Sequence, residues 1–202
     1  VSTDQVLMAR AAGRPQLGRT MRDAGFDTAY MGRWHLKLPP DDPDLHGYDF
    51  LAIHDNEDDA LPDEMERFLS AGRRGPFFAV VGICNPHDIC HWAKDGPFRS
   101  GAIPPAPPPE ECPPLPASFG LPENQPDCLR AFLETNTERY RVPGFDPGRW
   151  RQFRWAYHRF VERADAVFGR LMALLEQRGR REQTLVVFSS DHGEGAGCHG
   201  WC

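Results

Sequence analysis

The sequence lacks the features that would place it in several large functional classes. No apolar run approaches the ~20 residues that a membrane-spanning helix needs. Basic residues are not in excess, since the formal net charge is -6, and only Lys37 and Lys94 are lysines. Val1–Gln5 has neither an initiator methionine nor an apolar signal segment. We therefore expect neither a nucleic-acid nor a membrane partner, and we expect an internal piece of a longer protein whose ends indicate no cellular compartment.

The composition is typical of a soluble globular protein. Of its residues, 40% are hydrophobic and 26% are charged. A length of 202 residues is enough for one hydrophobic core or for half of a larger α/β enzyme. Six cysteines make an even number in a chain of this length, so disulfides are allowed but not required.

Hydrophobic spacing in the first half of the chain predicts alternating helices and strands. Apolar residues at helical spacing predict a helix over residues 16–24, followed by a strand from Phe26 to Met31 and a helix over roughly 62–71. The continuous apolar run Pro76–Cys84 predicts a strand that is buried on both faces. Residues 85–126 are rich in proline, which disfavours regular helix and predicts a long surface excursion.

The second half predicts a long helix and another strand. Residues 149–178 carry apolar side chains at three- and four-residue steps, which favours an amphipathic helix. The predicted buried positions are Phe153, Tyr157, Phe160, Ala164, Phe168, Leu171 and Leu175. Thr184–Phe188 then predicts a buried strand. This alternation predicts an α/β sandwich with a mostly parallel sheet and helices on both faces.

Polar side chains follow three of the predicted strands, where open α/β sheets place their sites. Gly32–Leu36 contains Arg33 and His35, Asn85–Asp88 contains His87, and Ser190–Gly193 contains Asp191 and His192. A carboxylate and an imidazole at adjacent positions can bind one divalent cation. The alternative is that Asp191 caps the next segment and His192 is a surface residue.

The other three residues each have a functional and a structural interpretation. His35 and His87 can donate a hydrogen bond to an anionic ester or protonate a leaving group, or they can be structural histidines. Arg33 can bind a sulfate or phosphate through two parallel hydrogen bonds, or it can be a surface arginine. Cysteine and histidine at short spacing also offer a zinc alternative, in Cys84–His91 and in Cys198–Cys202, although neither cluster has a standard finger spacing.

Three segments, in this order, resemble the type I sulfatases of the alkaline phosphatase superfamily. Ala24–Leu36 (AGFDTAYMGRWHL) is similar to the family's A-G-Y-x-T-x-x-x-G-K-W-H-L, and Pro76–His87 is similar to its P-F-F-L followed by P-H. Thr184–Gly193 (TLVVFSSDHG) is similar to its N-T-L-V-x-F-T-S-D-H-G. The resemblance implies that residues 1–202 are part of a catalytic domain with an alkaline-phosphatase-like fold.

The resemblance also implies a role for each candidate residue. Asp191 and His192 would bind the divalent cation, usually Ca²⁺. Arg33 would contact the sulfate group from a position that is generally lysine in the family. His35 would hydrogen-bond to the nucleophile or the sulfate, and His87 would help to protonate the leaving group. The substrate implied is a sulfated carbohydrate or small molecule.

One family feature is missing from this chain. The nucleophile of the family is a formylglycine made from the cysteine of C-x-P-S/A-R, and none of the six cysteines here has that context. We therefore expect the chain alone to be inactive. The motifs leave two alternatives open: a phosphodiesterase or phosphonate hydrolase of the same superfamily, and a non-catalytic metal-binding fragment.

Overall fold

The computed structural model describes residues 14–36, 38–72, 75–120, 123–131 and 144–201. The chain folds into two compact units, each built from two separate stretches of sequence. The first unit comprises Val1–Cys84 and Ala166–Glu182, and the second comprises Asn85–Asp165 and Gln183–Cys202. None of the described helices combines the length and apolar character that crossing a bilayer demands.

The first unit contains a parallel sheet of three strands in the order β2-β1-β3. These strands are β1 (Asp27–Gly32), β2 (Phe50–Ile53) and β3 (Phe77–Gly82). Gly32, the last residue of β1, pairs with the last residue of each neighbour, Ile53 and Gly82. The carboxyl ends of all three strands therefore lie level along one edge of the sheet.

Helices α1 (Leu17–Asp23), α2 (Pro43–His46) and α3 (Leu61–Ser70) also belong to this unit. The Phe68 ring of α3 is fully buried and lies 5.5 Å from Phe50 and 5.9 Å from Phe77, measured between ring centroids. The predicted helices over 16–24 and 62–71 and the strand ending at Met31 are confirmed. Strand β2 and helix α2 were not predicted.

The strand predicted over Pro76–Cys84 forms, but its predicted burial is wrong. Every residue of β3 is only half-buried, whereas β1 is buried along nearly its whole length. The reason is position, because β3 pairs only with β1 among the described residues and therefore lies at an edge of the sheet.

The strand predicted in the C-terminal half, Thr184–Phe188, does not form. These residues form no strand, and Leu185, Val187 and Phe188 are 90%, 79% and 73% exposed. An apolar run becomes a strand only when a neighbouring strand supplies its hydrogen-bond partners. In the described part of the chain no strand pairs with this segment.

The long helix predicted over 149–178 is confirmed as α5 (Pro147–Gln177). Phe153, Phe160, Leu171 and Leu175 are buried as predicted. Tyr157, Ala164 and Phe168 are only half-buried, while Ala156 and Val167 are buried instead. The apolar stripe is therefore displaced slightly from the one that the sequence spacing predicts.

The proline-rich segment lies against α5 in the second unit. A short α-helix in this segment, α4 (Ile89–Trp92), corrects the prediction that the segment contains no regular helix. Ile89 and Trp92 share a core with Phe153 and Phe160 of α5. Further along, the carbonyls of Pro107 and Cys112 accept hydrogen bonds from Gln152 (3.1 Å) and Arg151 (2.7 Å). Proline-rich backbone has carbonyls but few N–H groups to satisfy them, so donors on a helix suit it well.

Candidate active site

The predicted site residues are divided between the two units. Arg33 and His35 follow β1 in the first unit, and His87, Asp191 and His192 belong to the second.

The backbone of Arg33 is anchored at the carboxyl edge of the sheet. Its N–H donates to the Gly82 carbonyl at 3.2 Å, and its carbonyl accepts from the Tyr30 hydroxyl at 2.6 Å. The preceding residue, Gly32, has φ +100°, and a Cβ there would lie 2.2 Å from the Gly82 oxygen. Only glycine fits that conformation and that space, so Gly32 sets the direction in which Arg33 leaves the strand.

An aromatic cluster supports the loop that carries Arg33 and His35. The centroid of the Trp34 ring lies 4.8 Å from that of Tyr30 and 5.1 Å from that of His46. The indole N–H of Trp34 donates to the Leu38 carbonyl at 2.9 Å. Tyr48 stacks on His46 with ring centroids 5.7 Å apart, and burial raises the pKa of Tyr48 to about 12, with a smaller contribution from Tyr30. His35 follows on the same loop with its side chain exposed.

The guanidinium of Arg33 contacts Cys84, which follows β3 and in turn contacts two residues that follow β2. Its Nη1 donates to Cys84 Sγ at 3.3 Å. The Cys84 thiol in turn donates to Asn56 Oδ1 at 3.3 Å, and the Cys84 backbone N–H donates to Asp58 Oδ1 at 2.7 Å. We call Arg33, Asn56, Asp58 and Cys84 the strand-end cluster.

Asn56 and Asp58 were not predicted as site residues, and Cys84 was predicted only as an alternative zinc ligand. Both missed side chains are buried, at 9% and 6% exposure. The signal that would have found them is their place just after β2, a four-residue strand that was itself not predicted.

Arg33 carries a permanent charge and has no carboxylate partner among the described residues. The side chain is half-buried, and it forms no salt bridge within the described residues. A guanidinium carries five N–H donors and stays protonated in proteins. The contact with Cys84 uses one nitrogen, so the arrangement can bind a planar or tetrahedral oxyanion.

Asp191 and His192 lie side by side on an exposed turn in the second unit. Asp191 Oδ1 accepts from the His192 backbone N–H at 2.9 Å, and Asp191 Oδ2 lies 3.7 Å from His192 Nε2. Two ligands of one Ca²⁺, each about 2.5 Å from the ion, can be no more than about 5 Å apart. The separation of these two atoms therefore fits a shared cation.

These two side chains supply only part of a coordination shell. No group of three or more histidine, cysteine or acidic side chains able to hold a metal ion occurs among the described residues. The same finding gives the zinc alternative no support within the part of the chain that the structure covers; Cys202 lies outside it. The five described cysteines are thiols.

The loop after Asp191 and His192 is attached to α5. Arg154 donates to the Ala196 carbonyl at 2.9 Å, and the His199 N–H donates to the Ser118 carbonyl at 2.8 Å. Burial raises the pKa of the Glu194 carboxyl above its usual value, and His192 nearby partly offsets this effect. These contacts fix the chain on the C-terminal side of the candidate ligands.

His87 lies in a turn that begins with a cis peptide bond between Asn85 and Pro86. Its half-buried ring has its centroid 6.4 Å from that of His91. The next residue, Asp88, is fully buried and accepts hydrogen bonds from the backbone N–H (3.0 Å) and the hydroxyl (2.5 Å) of Ser100. Asp88 therefore fastens the turn, and no hydrogen bond or ion pair joins His87 to Asp191 or His192 in the described residues.

Comparison with known proteins shows similarity to sulfatases over nearly the whole chain. A family profile described as Sulfatase matches residues 2–200. The ulvan-active sulfatase of Formosa agariphila is 25% identical over 87% of this chain and 34% of that protein. The Delta 4,5-hexuronate-2-O-sulfatase of Bacteroides thetaiotaomicron is 20% identical over 92% of this chain and 40% of that protein.

A solved structure of a 2-O GAG sulfatase has the same fold, with a TM-score of 0.71 at 18% sequence identity. The match covers 93% of this chain and 42% of that chain. It confirms the predicted alkaline-phosphatase-like α/β fold. The chain therefore spans between 34% and 42% of the length of these three relatives.

Proposed function

The chain belongs to the sulfatase family, and from that premise we propose that it is part of a catalytic domain that hydrolyses sulfate esters of carbohydrates or small molecules. This membership confirms the family that the three ordered motifs predicted. The names of two relatives, an ulvan-active sulfatase and a hexuronate-2-O-sulfatase, favour a sulfated carbohydrate as the substrate class.

The observation that carries the proposal is the environment of Arg33. A half-buried guanidinium lies at the carboxyl edge of a parallel sheet, on an anchored backbone, without an ion-pair partner in the described residues. Such a charge is costly to bury alone and is stabilised when an anion binds to it. Arg33 thus serves as a binding group for the sulfate of the ester.

The two histidines supply proton chemistry in this proposal. The exposed imidazole of His35 follows Arg33 by two residues and donates a hydrogen bond to the sulfate or to the nucleophile. His87 protonates the departing alcohol oxygen, because an imidazole exchanges protons near neutral pH. The fastened turn around Asp88 holds His87 on rigid backbone.

Asp191 and His192 would hold a divalent cation, which is Ca²⁺ by the family resemblance. Such a cation offsets the negative charge that develops on the sulfuryl oxygens. Formylglycine would supply the nucleophilic oxygen in the whole protein, and no cysteine in these 202 residues has the sequence context for that modification. The remaining groups act by binding and orienting the ester.

The proposal is tested by steady-state kinetics of the full-length protein with 4-nitrophenyl sulfate. Arg33→Ala should raise KM and lower kcat/KM by roughly 30-fold or more, because a charge-assisted pair is lost. Arg67→Ala is the matched control, since Arg67 is an exposed arginine of the same unit that pairs with Glu64. Unchanged kinetics in Arg33→Ala would remove Arg33 from the site.

The same assay separates the two ester classes. Full-length protein should cleave the sulfate ester faster than 4-nitrophenyl phosphate, whereas the reverse order would favour a phosphoester hydrolase. The 202-residue chain alone should hydrolyse neither ester. Turnover by the isolated chain would contradict the conclusion that its sequence lacks the nucleophile.

A further inference from the structure

The Cys84 thiol lies between the guanidinium of Arg33 and the amide of Asn56. It accepts from Arg33 Nη1 and donates to Asn56 Oδ1, so both of its hydrogen-bonding functions are used within the strand-end cluster. We propose that Cys84 is a positioning residue that holds the Arg33 guanidinium in the orientation that binds the ester's sulfate group. This inference rests on the proposed function, because it takes Arg33 as the sulfate-binding residue.

The position of Cys84 is itself fixed by residues that follow β2. Its backbone N–H donates to buried Asp58 at 2.7 Å, and its thiol donates to buried Asn56 at 3.3 Å. Cys84 lies two residues beyond the end of β3, whose last residue pairs with the last residue of β1. Cys84 is thereby fixed by the end of β3 and by residues that follow β2, and its thiol contacts the side chain of Arg33, which follows β1.

A contact of this kind matters because an arginine side chain has many rotamers. Ordering a long side chain only when the ligand arrives costs conformational entropy and weakens binding. The backbone of Arg33 is already held by Tyr30 and Gly82. The thiol contact extends that order to the far end of the side chain.

The contact also leaves the geometry needed for an oxyanion. Cys84 binds one terminal nitrogen, Nη1, and the other nitrogens of the planar group remain oriented in the same plane. A lysine ammonium is a single point donor on a flexible stem and has no rigid plane to orient. The guanidinium of Arg33 can therefore donate to the Cys84 thiol from one nitrogen and to a sulfate group from the others.

The experiment is a double-mutant cycle in the full-length protein, with KM and kcat measured for 4-nitrophenyl sulfate. Cys84→Ala should raise KM about fivefold to tenfold, with kcat changed less than twofold, because a hydrogen bond to a charged group is lost. Cys84→Ser retains a donor and an acceptor and should restore KM to within about twofold of wild type. In the Arg33→Ala background, Cys84→Ala should have no further effect on KM.

The controls separate a positioning role from a packing role. Cys84→Val fills similar space without hydrogen bonds, so it should resemble Cys84→Ala and serve in its place if the smaller variant does not fold. An unchanged KM in both apolar variants overturns the inference. So does an equal rise in KM on replacing Cys84 with and without Arg33, since the thiol would then act through folding alone.

The proposed roles of Arg33 and Cys84 can be refuted separately. If Arg33→Ala leaves KM unchanged, the proposed role of Arg33 is wrong and the inference falls with it. If Arg33→Ala raises KM but the Cys84 variants do not, the sulfate-binding role of Arg33 survives and only the positioning role of Cys84 is lost.

Discussion

At the level of single residues, the site depends on a few positions where only one side chain fits. Gly32 combines positive φ with close approach to the Gly82 carbonyl, and it thereby directs Arg33 away from the strand. Tyr30 and Trp34 then hold the loop on its other side. Arg33 and His35 were identified from sequence because they directly follow a predicted strand, whereas Asn56 and Asp58 follow a strand too short to predict.

We expect Gly32→Ala to lower the free energy of unfolding by about 3 kcal/mol, because it adds backbone strain and a clash with a carbonyl oxygen. Gly72→Ala is the matched control. Gly72 also has positive φ, +69°, but a Cβ there meets nothing within 4 Å. Urea denaturation of both variants separates the effect of the clash, which only Gly32→Ala introduces, from that of backbone strain, which both introduce. Equal decreases in the free energy of unfolding would show that no close approach exists at Gly32.

The raised pKa of Tyr48 predicts a pH effect with a defined sign. Burial raises this pKa from 10.0 to about 12. The contribution of Tyr48 to stability is therefore fully present below pH 10 and is lost as the pH rises through about 12. Tyr48→Phe should make the unfolding free energy less steeply dependent on pH in that window.

The measurement is urea denaturation at a series of pH values from 9 to about 11.5, the range in which an unfolded tyrosine ionises and the buried one does not. Tyr157→Phe provides a comparison on the other unit, since burial also raises the pKa of that hydroxyl. Identical pH slopes for wild type and Tyr48→Phe would contradict the prediction.

At the level of elements, the local sequence correctly predicted the helices and strands whose hydrophobic spacing is distinctive enough to identify them without knowledge of their neighbours. The periodicity of α5 extends over 31 residues, so its position was predicted closely. Strand β3 was also predicted, but its exposure depends on which strands pair with it. The residues of β3 alone do not indicate those partners. Thr184–Phe188 has the composition of a strand and forms none where no neighbour pairs with it.

This contrast predicts very different costs for the same substitution at two leucines. Leu171→Ala in α5 should lower the unfolding free energy of the chain by about 3 kcal/mol, because Leu171 is buried. Leu185→Ala should cost less than about 0.5 kcal/mol, because Leu185 is 90% exposed. Urea denaturation measures both, and a large loss at Leu185 would show that its segment is buried in solution.

At the level of the whole molecule, the family and its α/β fold were predicted because three motifs occur in order along the chain. The division into two units was not predicted, since no change in composition marks it. Each unit is built from two stretches of sequence, and so contacts between distant residues define it. The candidate site residues follow this division, with Arg33 and His35 in one unit and His87, Asp191 and His192 in the other.

Helix α5 contributes Pro147–Asp165 to the second unit and Ala166–Gln177 to the first. No single cut in the chain therefore releases either unit with all of its parts. Neither unit corresponds to a continuous stretch of coding sequence that recombination could transfer alone. A frameshift or truncation anywhere before the end of this helix removes residues from both units.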